Sequence, residues 1–396
     1  MKKLLFIGHS YHKKTKSADF IINLLKGKYE IETFYFDPYN DEANAFEQLK
    51  NKTVNNIVLW QIAPNIEKLI SYVKTDKITF FPMYDASRNE EYDFWYSYKN
   101  VKIINFSMAL HKKLKNMGLD SKYIQYFPKP EDNFIKGDEK NIYFWQRINK
   151  INVNVVEKLF SNLGFDKLHI HNAIDPQHSF VKPHNKIKNK IEYSTWYDKK
   201  EDMKKDIQSA QIYIAPREFE GIGMSFLEAM AMGKCVIAPN YPTMNEYIIH
   251  NQNGVLYDLS NPQPLNYFDP IQLGKNAYDS IKLGYQKWEN DKSEILKWIE
   301  EPVTIDENIL KNAKNITIRY KLFKIFPILS FSKKNNTLKI SLLKFIPLFS
   351  CKRNGNNYKI NLIGIPFLET KNRKNNKIRI YFIFKLPILK ETRKTN

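Results

Sequence analysis

The chain has 396 residues, 43% of them hydrophobic and 26% charged, which is enough for two or three domains with large buried cores and too apolar for a disordered chain. Its formal charge of +20 sits at one end: residues 311–396 hold 21 Lys or Arg and 2 Glu, leaving 41 basic and 40 acidic residues in 1–310. That partition argues against a uniformly basic nucleic-acid binder and describes a neutral body with a separate basic module. Two cysteines, Cys235 and Cys351, are too few and too distant in sequence for a disulfide framework or a zinc site, so a reducing cytoplasm is the default expectation.

The opening MKKLLFIGHS reads as a first buried strand, because its apolar run stops at Gly8 and His9, short of the roughly 7–15 residues of a signal-peptide core. No stretch approaches the roughly 18–20 apolar residues of a membrane span, so membrane contact is expected to be peripheral. Strands are expected at Lys3–Ile7, Glu30–Phe36, Ile57–Gln61, Ile78–Pro82, Val101–Phe106 and Tyr123–Phe127. Between them lie helical patterns at Ser17–Leu25, Ala43–Leu49, Ile66–Val73 and Met108–Met117, the last stopped by Gly118. This alternation describes a doubly wound α/β unit over residues 1–130.

The two prolines of FPKPEDNFIKG, Phe127–Gly137, mark a linker. A second unit follows over 138–265, with strands Asn141–Trp145, Lys167–His171, Ile212–Ala215 and Cys235–Ala238 and helices Asn154–Leu163, Lys200–Ser209 and Met224–Met232. Two helical stretches, Ile271–Tyr285 and Ser293–Glu300, close it over 266–302. Two such units imply a cleft beyond the carboxyl ends of their strands, where ligands of open α/β sheets bind. In the tail, prolines at 327, 347, 366 and 387 recur about every 20 residues, separated by KKNN, KRNGNN and KNRKNN. Alternation such as Thr337-Leu338-Lys339-Ile340-Ser341-Leu342 makes 311–396 a basic region of β-repeats with Asn-rich turns.

Chemistry concentrates in Ile212–Leu256, IYIAPREFEGIGMSFLEAMAMGKCVIAPNYPTMNEYIIHNQNGVL. Glu220 and Glu228 stand eight apart across a strand–loop–helix junction. Gly221 and Gly223 permit a tight turn, and the helix that starts near Met224 aims free N–H groups and its positive dipole end into the cleft, a place for phosphate or diphosphate. Glu228, one turn into the helix, suits a ribose diol; Glu220, in the loop, suits sugar hydroxyls. Two glutamates at this spacing also occur by chance.

The segment resembles the carboxyl-terminal signature of retaining glycosyltransferases of family 4, the E-x7-E enzymes of GT-B fold found in bacterial surface-polysaccharide biosynthesis. The family pattern is a strand ending in Pro-Ser, a Glu, a Gly-Phe-Gly-like turn and Leu-Glu-Ala-Met-Ala-x-Gly-x-Pro-Val-Ile-Ala. Here stand Ala215-Pro216, Glu220, Gly221-Ile222-Gly223, Leu227-Glu228-Ala229-Met230-Ala231-Met232-Gly233 and Val236-Ile237-Ala238, followed by Glu246 and Asn253-Gly254-Val255-Leu256. Ile222 replaces a usual aromatic, and Cys235 a common proline.

The resemblance implies two Rossmann-like domains facing a cleft, the first for the acceptor and the second for the nucleotide-sugar. It implies donor-sugar contact by Glu220, diphosphate binding at Gly221, Ile222, Gly223 and Met224, and ribose contact by Glu228. A cationic pair after the first strand of the second domain is also implied: Arg147 occupies the arginine's place, while the lysine's place holds Asn152, with Lys150 the nearest substitute. The alternative for Arg147 is a simple pair with a surface carboxylate. The chain has no Asp-x-Asp pair, which fits transfer without a metal or other cofactor, the diphosphate being neutralised by cations and a helix end.

On the acceptor side, His9 and His12 follow the first strand. Asp85, after the Ile78–Pro82 strand, is a candidate to orient or deprotonate the acceptor hydroxyl, or else a helix cap. His169-x-His171, with no third ligand nearby, reads as a structural pair. The expected protein is thus a cytoplasmic glycosyltransferase at the inner face of the membrane, using a nucleotide-sugar and a glycan or lipid-linked acceptor. Its tail engages anionic lipid, or alternatively mediates homo-oligomerisation, with nucleic acid the least favoured partner. The contrasting reading is a non-catalytic glycan or nucleotide-sugar binding protein whose tail binds membrane or polyanion.

Overall fold

The structure is a computed structural model that describes residues 1–37, 42–184, 187 and 190–309, and beyond them the backbone of strand segments between 320 and 392. The chain divides into two compact units, Met1–Ile305 and Asp306–Asn396.

The first unit contains two six-stranded parallel sheets. One is built from β1 (Lys2–His9), β2 (Tyr29–Phe36), β3 (Lys52–Trp60), β4 (Val73–Phe81), β5 (Lys102–Asn105) and β6 (Ser121–Tyr123), in the order β2-β1-β3-β4-β5-β6. Its strands are near-continuous apolar runs because helices cover both faces: in β1, Leu4 to Ile7 are all at most 1% exposed. The crossovers are α1 (His12–Thr15), α2 (Asp19–Lys26), α3 (Glu42–Gln48), α4 (Ile66–Tyr72), α5 (Tyr84–Ser87), α6 (Tyr92–Ser97) and α7 (Met108–Lys115).

The other sheet comprises β7 (Asp138–Trp145), β8 (Lys167–His171), β9 (Ile191–Ser194), β10 (Ala210–Ile214), β11 (Cys235–Pro239) and β12 (Val255–Tyr257), in the order β12-β11-β10-β7-β8-β9. Its helices are α8 (Val153–Leu159), α9 (Lys200–Ser209), α10 (Met224–Ala231) and α11 (Met244–Tyr247). In each sheet the strand order reverses once, between β1 and β3 in the first and between β7 and β10 in the second. Loops leaving the carboxyl ends of such neighbouring strands diverge and open a crevice.

Between the sheets, residues 124–137 hold neither helix nor strand. This connection is fastened to the second sheet by Ile135 N–H donating to Met232 O (3.2 Å) and Gly137 N–H to Gln211 Oε1 (2.9 Å). The wholly buried Lys234 donates to Ile135 O (3.0 Å) and Gln208 O (2.9 Å), and burial lowers its pKa to about 8.

α12 (Pro270–Glu300) then crosses back to the first sheet. Asp269 caps it by accepting from the Ile271 and Gln272 amides, with proline at its first position. It is one 31-residue helix, not the two stretches its sequence suggests. The polar run Asn290-Asp291-Lys292-Ser293 stays helical because Lys287 pairs with Asp291 and Lys292 with Glu289, both at 2.5 Å, and Trp288 is buried beside them. Where the helix ends, Lys102, 2% exposed, pairs with Asp120 (3.1 Å) and lies over the Trp298 ring (3.6 Å), while Asp120 also accepts from Thr304 N–H (2.8 Å). Buried on both sides, that pair ties the returning chain to the first sheet.

In the second unit the described backbone is an eight-stranded antiparallel sheet, with strands in chain order: β13 (Tyr320–Lys321), β14 (Leu329–Lys334), β15 (Thr337–Leu342), β16 (Ile346–Asn354), β17 (Asn357–Leu362), β18 (Ile365–Arg373), β19 (Lys377–Tyr381) and β20 (Pro387–Thr392). The pairing shifts register beside each described proline of the repeat, at Ser341↔Pro347, Asn361↔Pro366 and Tyr381↔Pro387. A bulge is where a residue without an N–H donor is tolerated in a ladder. Pro327 lies outside the described residues.

Candidate active site

The crevice of the second sheet is lined by the two loops that leave β7 and β10. The first carries Arg147, two residues beyond β7; the second runs from Pro216 to Gly223 and delivers Glu220. Gly223 is the N-cap of α10 and adopts φ +82°, and a Cβ there would fall 1.9 Å from the Phe226 ring, so only glycine serves. Gly221 is dictated by another contact: a Cβ on it would lie 2.7 Å from Cβ of Met83, at the end of the first sheet's β4 loop. The glycine turn is therefore where the two domains of this unit come into close approach. Ile222 is 5% exposed and packs in the core, where Thr243 donates to its carbonyl (3.2 Å).

Around this turn stands a chain of charges. Arg147 donates through Nε and Nη2 to Asp175 Oδ1 (3.0 and 2.7 Å) and stacks over Trp145, 4.4 Å from the ring centroid. Asp175 Oδ2 accepts from Arg217 Nη2 (2.5 Å), and Arg217 Nη1 reaches Asp85 Oδ2 of the first domain (3.4 Å). Arg88 donates to the Asp85 carbonyl and lies over the Phe219 ring at 4.2 Å. Glu220 is 8% exposed within this chain; burial raises its pKa to about 7, opposed by Arg217 and Arg147 and reinforced by Asp85 and Asp175. Burial raises Asp85 as well, against the pull of Arg217. For Arg217, burial opposes the charged form, yet Glu220, Asp175 and Asp85 together push its pKa above the ordinary value.

The remaining expected residues take distinct places. Lys150 pairs with Glu218 (2.5 Å) and is 56% exposed; Glu228 pairs with Lys200 (2.6 Å). Pairs this open contribute at most about 1 kcal/mol and exchange readily for a ligand. Met224 opens α10, and its first turn carries no acidic residue. Asp85 is not a helix cap: the N-cap of α5 is Met83, and Asp85 sits within the first turn. His12 is buried, donates through Nε2 to Gln61 Oε1 (3.0 Å), and has its pKa lowered by burial; His9 lies 3.8 Å from Asp37. His169 and His171 share Ser194 Oγ (2.7 and 3.0 Å), and burial lowers His171 to about 4. Among the described residues no group of three or more His, Cys, Asp or Glu could hold a metal ion.

Glu246 joins the domains. Its carboxylate accepts from Ser107 Oγ (2.8 Å) and the Met108 and Ala109 amides (2.7 and 3.0 Å), capping α7 of the first domain from α11 of the second. Arg217 and Asp175 escaped the sequence reading. Asp175 lies in a loop with no periodicity, and Arg217 was legible only as the residue standing where the resembled pattern has Ser after Pro.

Residues 184–266 match the family described as glycosyl transferases group 1. The matched segment contains the Pro216–Gly223 loop and α10 with Glu228, and spans less than half of the chain. No curated protein matches the chain. Among solved structures, it is similar to the lipopolysaccharide outer core galactosyltransferase WaaB, at 15% identity and TM-score 0.50, over 79% of this chain and 98% of that one. It is similar to sucrose-phosphate synthase of Thermosynechococcus elongatus, at 12% identity and TM-score 0.59, over 75% and 98%. It is similar also to Anabaena HepE in complex with UDP, at 13% identity and TM-score 0.51, over 74% and 99%. At these identities the likeness is one of fold, the GT-B arrangement of two Rossmann-like domains. Fold and family match together support a glycosyltransferase.

The raised pKa of Glu220 has a consequence for stability. Between pH 4.5 and about 7 the folded protein keeps a proton on Glu220 that the unfolded chain has released. Stability therefore falls across that window, by up to about 3 kcal/mol at about 1.4 kcal/mol per unit. Urea unfolding of Glu220→Gln should lack this component, and profiles that coincide with wild type from pH 4.5 to 7 would show that Glu220 is not buried as described.

Proposed function

We propose that the protein transfers a sugar from a nucleotide-sugar donor to a glycan or lipid-linked acceptor of a surface polysaccharide, with retention and without a metal. The observation that carries this reading is the convergence of Arg147, Arg217 and the Gly221–Gly223 turn ahead of α10 on the buried Glu220. The departing diphosphate gains negative charge in the transition state. Arg147, the turn amides with that of Met224, and Lys150 swung from Glu218 would stabilise that charge in a partly desolvated cleft, usually the largest catalytic effect. With these in place, cations and a helix end perform the neutralisation that other transferases assign to a divalent ion.

Glu220 would accept hydroxyls of the donor sugar and Glu228 the ribose diol, leaving Lys200 in exchange. Asp85 would orient the acceptor hydroxyl from the first domain, with His9 and His12 on the same side of the cleft. HepE, similar in fold, is seen in complex with UDP, which supports a nucleoside diphosphate as a ligand of this cleft. No helix among the described residues is long and apolar enough to cross a membrane. The surplus of basic residues in 311–396 supports a peripheral site of work on anionic lipid, at about 1 kcal/mol per engaged lysine or arginine.

A panel of UDP- and GDP-sugars with released nucleoside diphosphate as the readout tests the reaction. Wild type should turn over at least one donor, with EDTA making no difference, and Glu220→Gln and Arg147→Ala should each lose about 100-fold or more. Donor binding without turnover would make the protein a binder, and full activity in both variants would remove these residues from the site. Separately, the full chain should sediment with vesicles containing phosphatidylglycerol, and a chain ending at 310 should not. Equal sedimentation of the two would end the membrane reading.

A further inference from the structure

We propose that Arg217 is a positioning residue that couples the donor subsite to Asp85: without donor it holds the Asp85 carboxylate, and a diphosphate that recruits Arg217 releases it. This inference rests on the reading of the cleft as a nucleotide-sugar site.

Arg217 belongs to the loop after β10 in the second domain, three residues before Glu220, yet it grips one carboxylate from each domain, Asp175 at 2.5 Å and Asp85 at 3.4 Å. Its Nε is buried without a hydrogen-bond partner, so its two terminal nitrogens carry all of its pairing and a donor remains unused in the cleft. Asp85, Asp175 and Glu220 already supply three carboxyl groups to the two guanidinium groups of Arg147 and Arg217.

A diphosphate adds at least two negative charges at the same place and competes with Asp175 and Asp85 for the two guanidinium groups. Asp175 is fixed by three hydrogen bonds of 2.5–3.0 Å from both arginines, whereas Asp85 is attached to Arg217 by a single one at 3.4 Å. Asp85 is therefore the group that leaves.

Release changes what Asp85 can do. Arg217 is the largest of the influences that hold its pKa down against burial, so losing Arg217 makes the carboxylate a better proton acceptor at the moment the donor is in place. Asp85 then faces the cleft from the first domain, free to take a hydrogen bond from an acceptor hydroxyl. The acceptor side becomes competent only after the donor has bound, which guards the donor against loss to a premature nucleophile.

A double-mutant cycle on the full chain, with calorimetric titration of UDP, GDP and ADP, tests this. Asp85→Asn removes the competitor for Arg217 and should tighten binding of the preferred diphosphate about three- to tenfold. Arg217→Ala should weaken it tenfold or more, and in the Arg217→Ala background Asp85→Asn should change nothing. Arg217→Gln, which keeps polar bulk but removes the charge, carries the same cycle if Arg217→Ala does not fold. Unchanged or weaker binding by Asp85→Asn, or the same tightening in both backgrounds, would overturn the coupling while leaving the site reading intact. A wild type that binds none of the three diphosphates would overturn the site reading itself, and the coupling with it.

Discussion

A carboxyl group buried in a cleft between two sheets either keeps its proton or needs cations close enough to offset its lost hydration, a cost of several kcal/mol per ion. Glu220 is such a group, and the arrangement of the site follows from accommodating it. Arg147 and Arg217 come from the loops after β7 and β10, the two strands that flank the reversal of strand order in the second sheet. No other pair of neighbouring strands in that sheet sends its loops apart, so nowhere else could two arginines, Asp175 and a glycine turn assemble around one acid. The two guanidinium groups that oppose the burial of Glu220, together with the start of α10 beside them, would also suit a diphosphate. The site is thus built around charge that a donor would complete.

The first domain takes part through contacts that need both domains near each other. Gly221 leaves no room for a side chain against Met83, Glu246 caps α7 across the cleft, and Arg217 reaches Asp85. Glu246 is structural: its two oxygens serve three donors at a helix start, and α7 would otherwise present those N–H groups unpaired. α12 supplies the return path, carrying the chain from beside Gly233 and α10 to the buried Lys102–Asp120 pair.

Much of this was legible in the sequence. Apolar runs marked most strands of both parallel sheets, because strands covered on both faces are apolar throughout. Glu220, Glu228, Gly221 and Gly223 were legible because they stand at short spacing across one strand–loop–helix junction, and Arg147 only through the resemblance, at the end of β7. What escaped depended on contacts between distant segments. Ile191–Ser194 is a half-exposed edge strand without a continuous apolar run, and α12 looked broken until its ion pairs were seen. Asp175 and Arg217 lie 42 residues apart, and only the sheet order brings them together. Asp85 was found, but its partner across the cleft was not, and the partner decides what it does.

The most direct test is a crystal structure of the full chain with UDP or GDP bound. Density for the diphosphate within hydrogen-bonding distance of the Gly223 and Met224 amides and of the Arg147 guanidinium, with Asp85 parted from Arg217, is the predicted result. A nucleotide bound away from the start of α10, with the Arg147–Asp175–Arg217–Asp85 chain intact, would contradict the account.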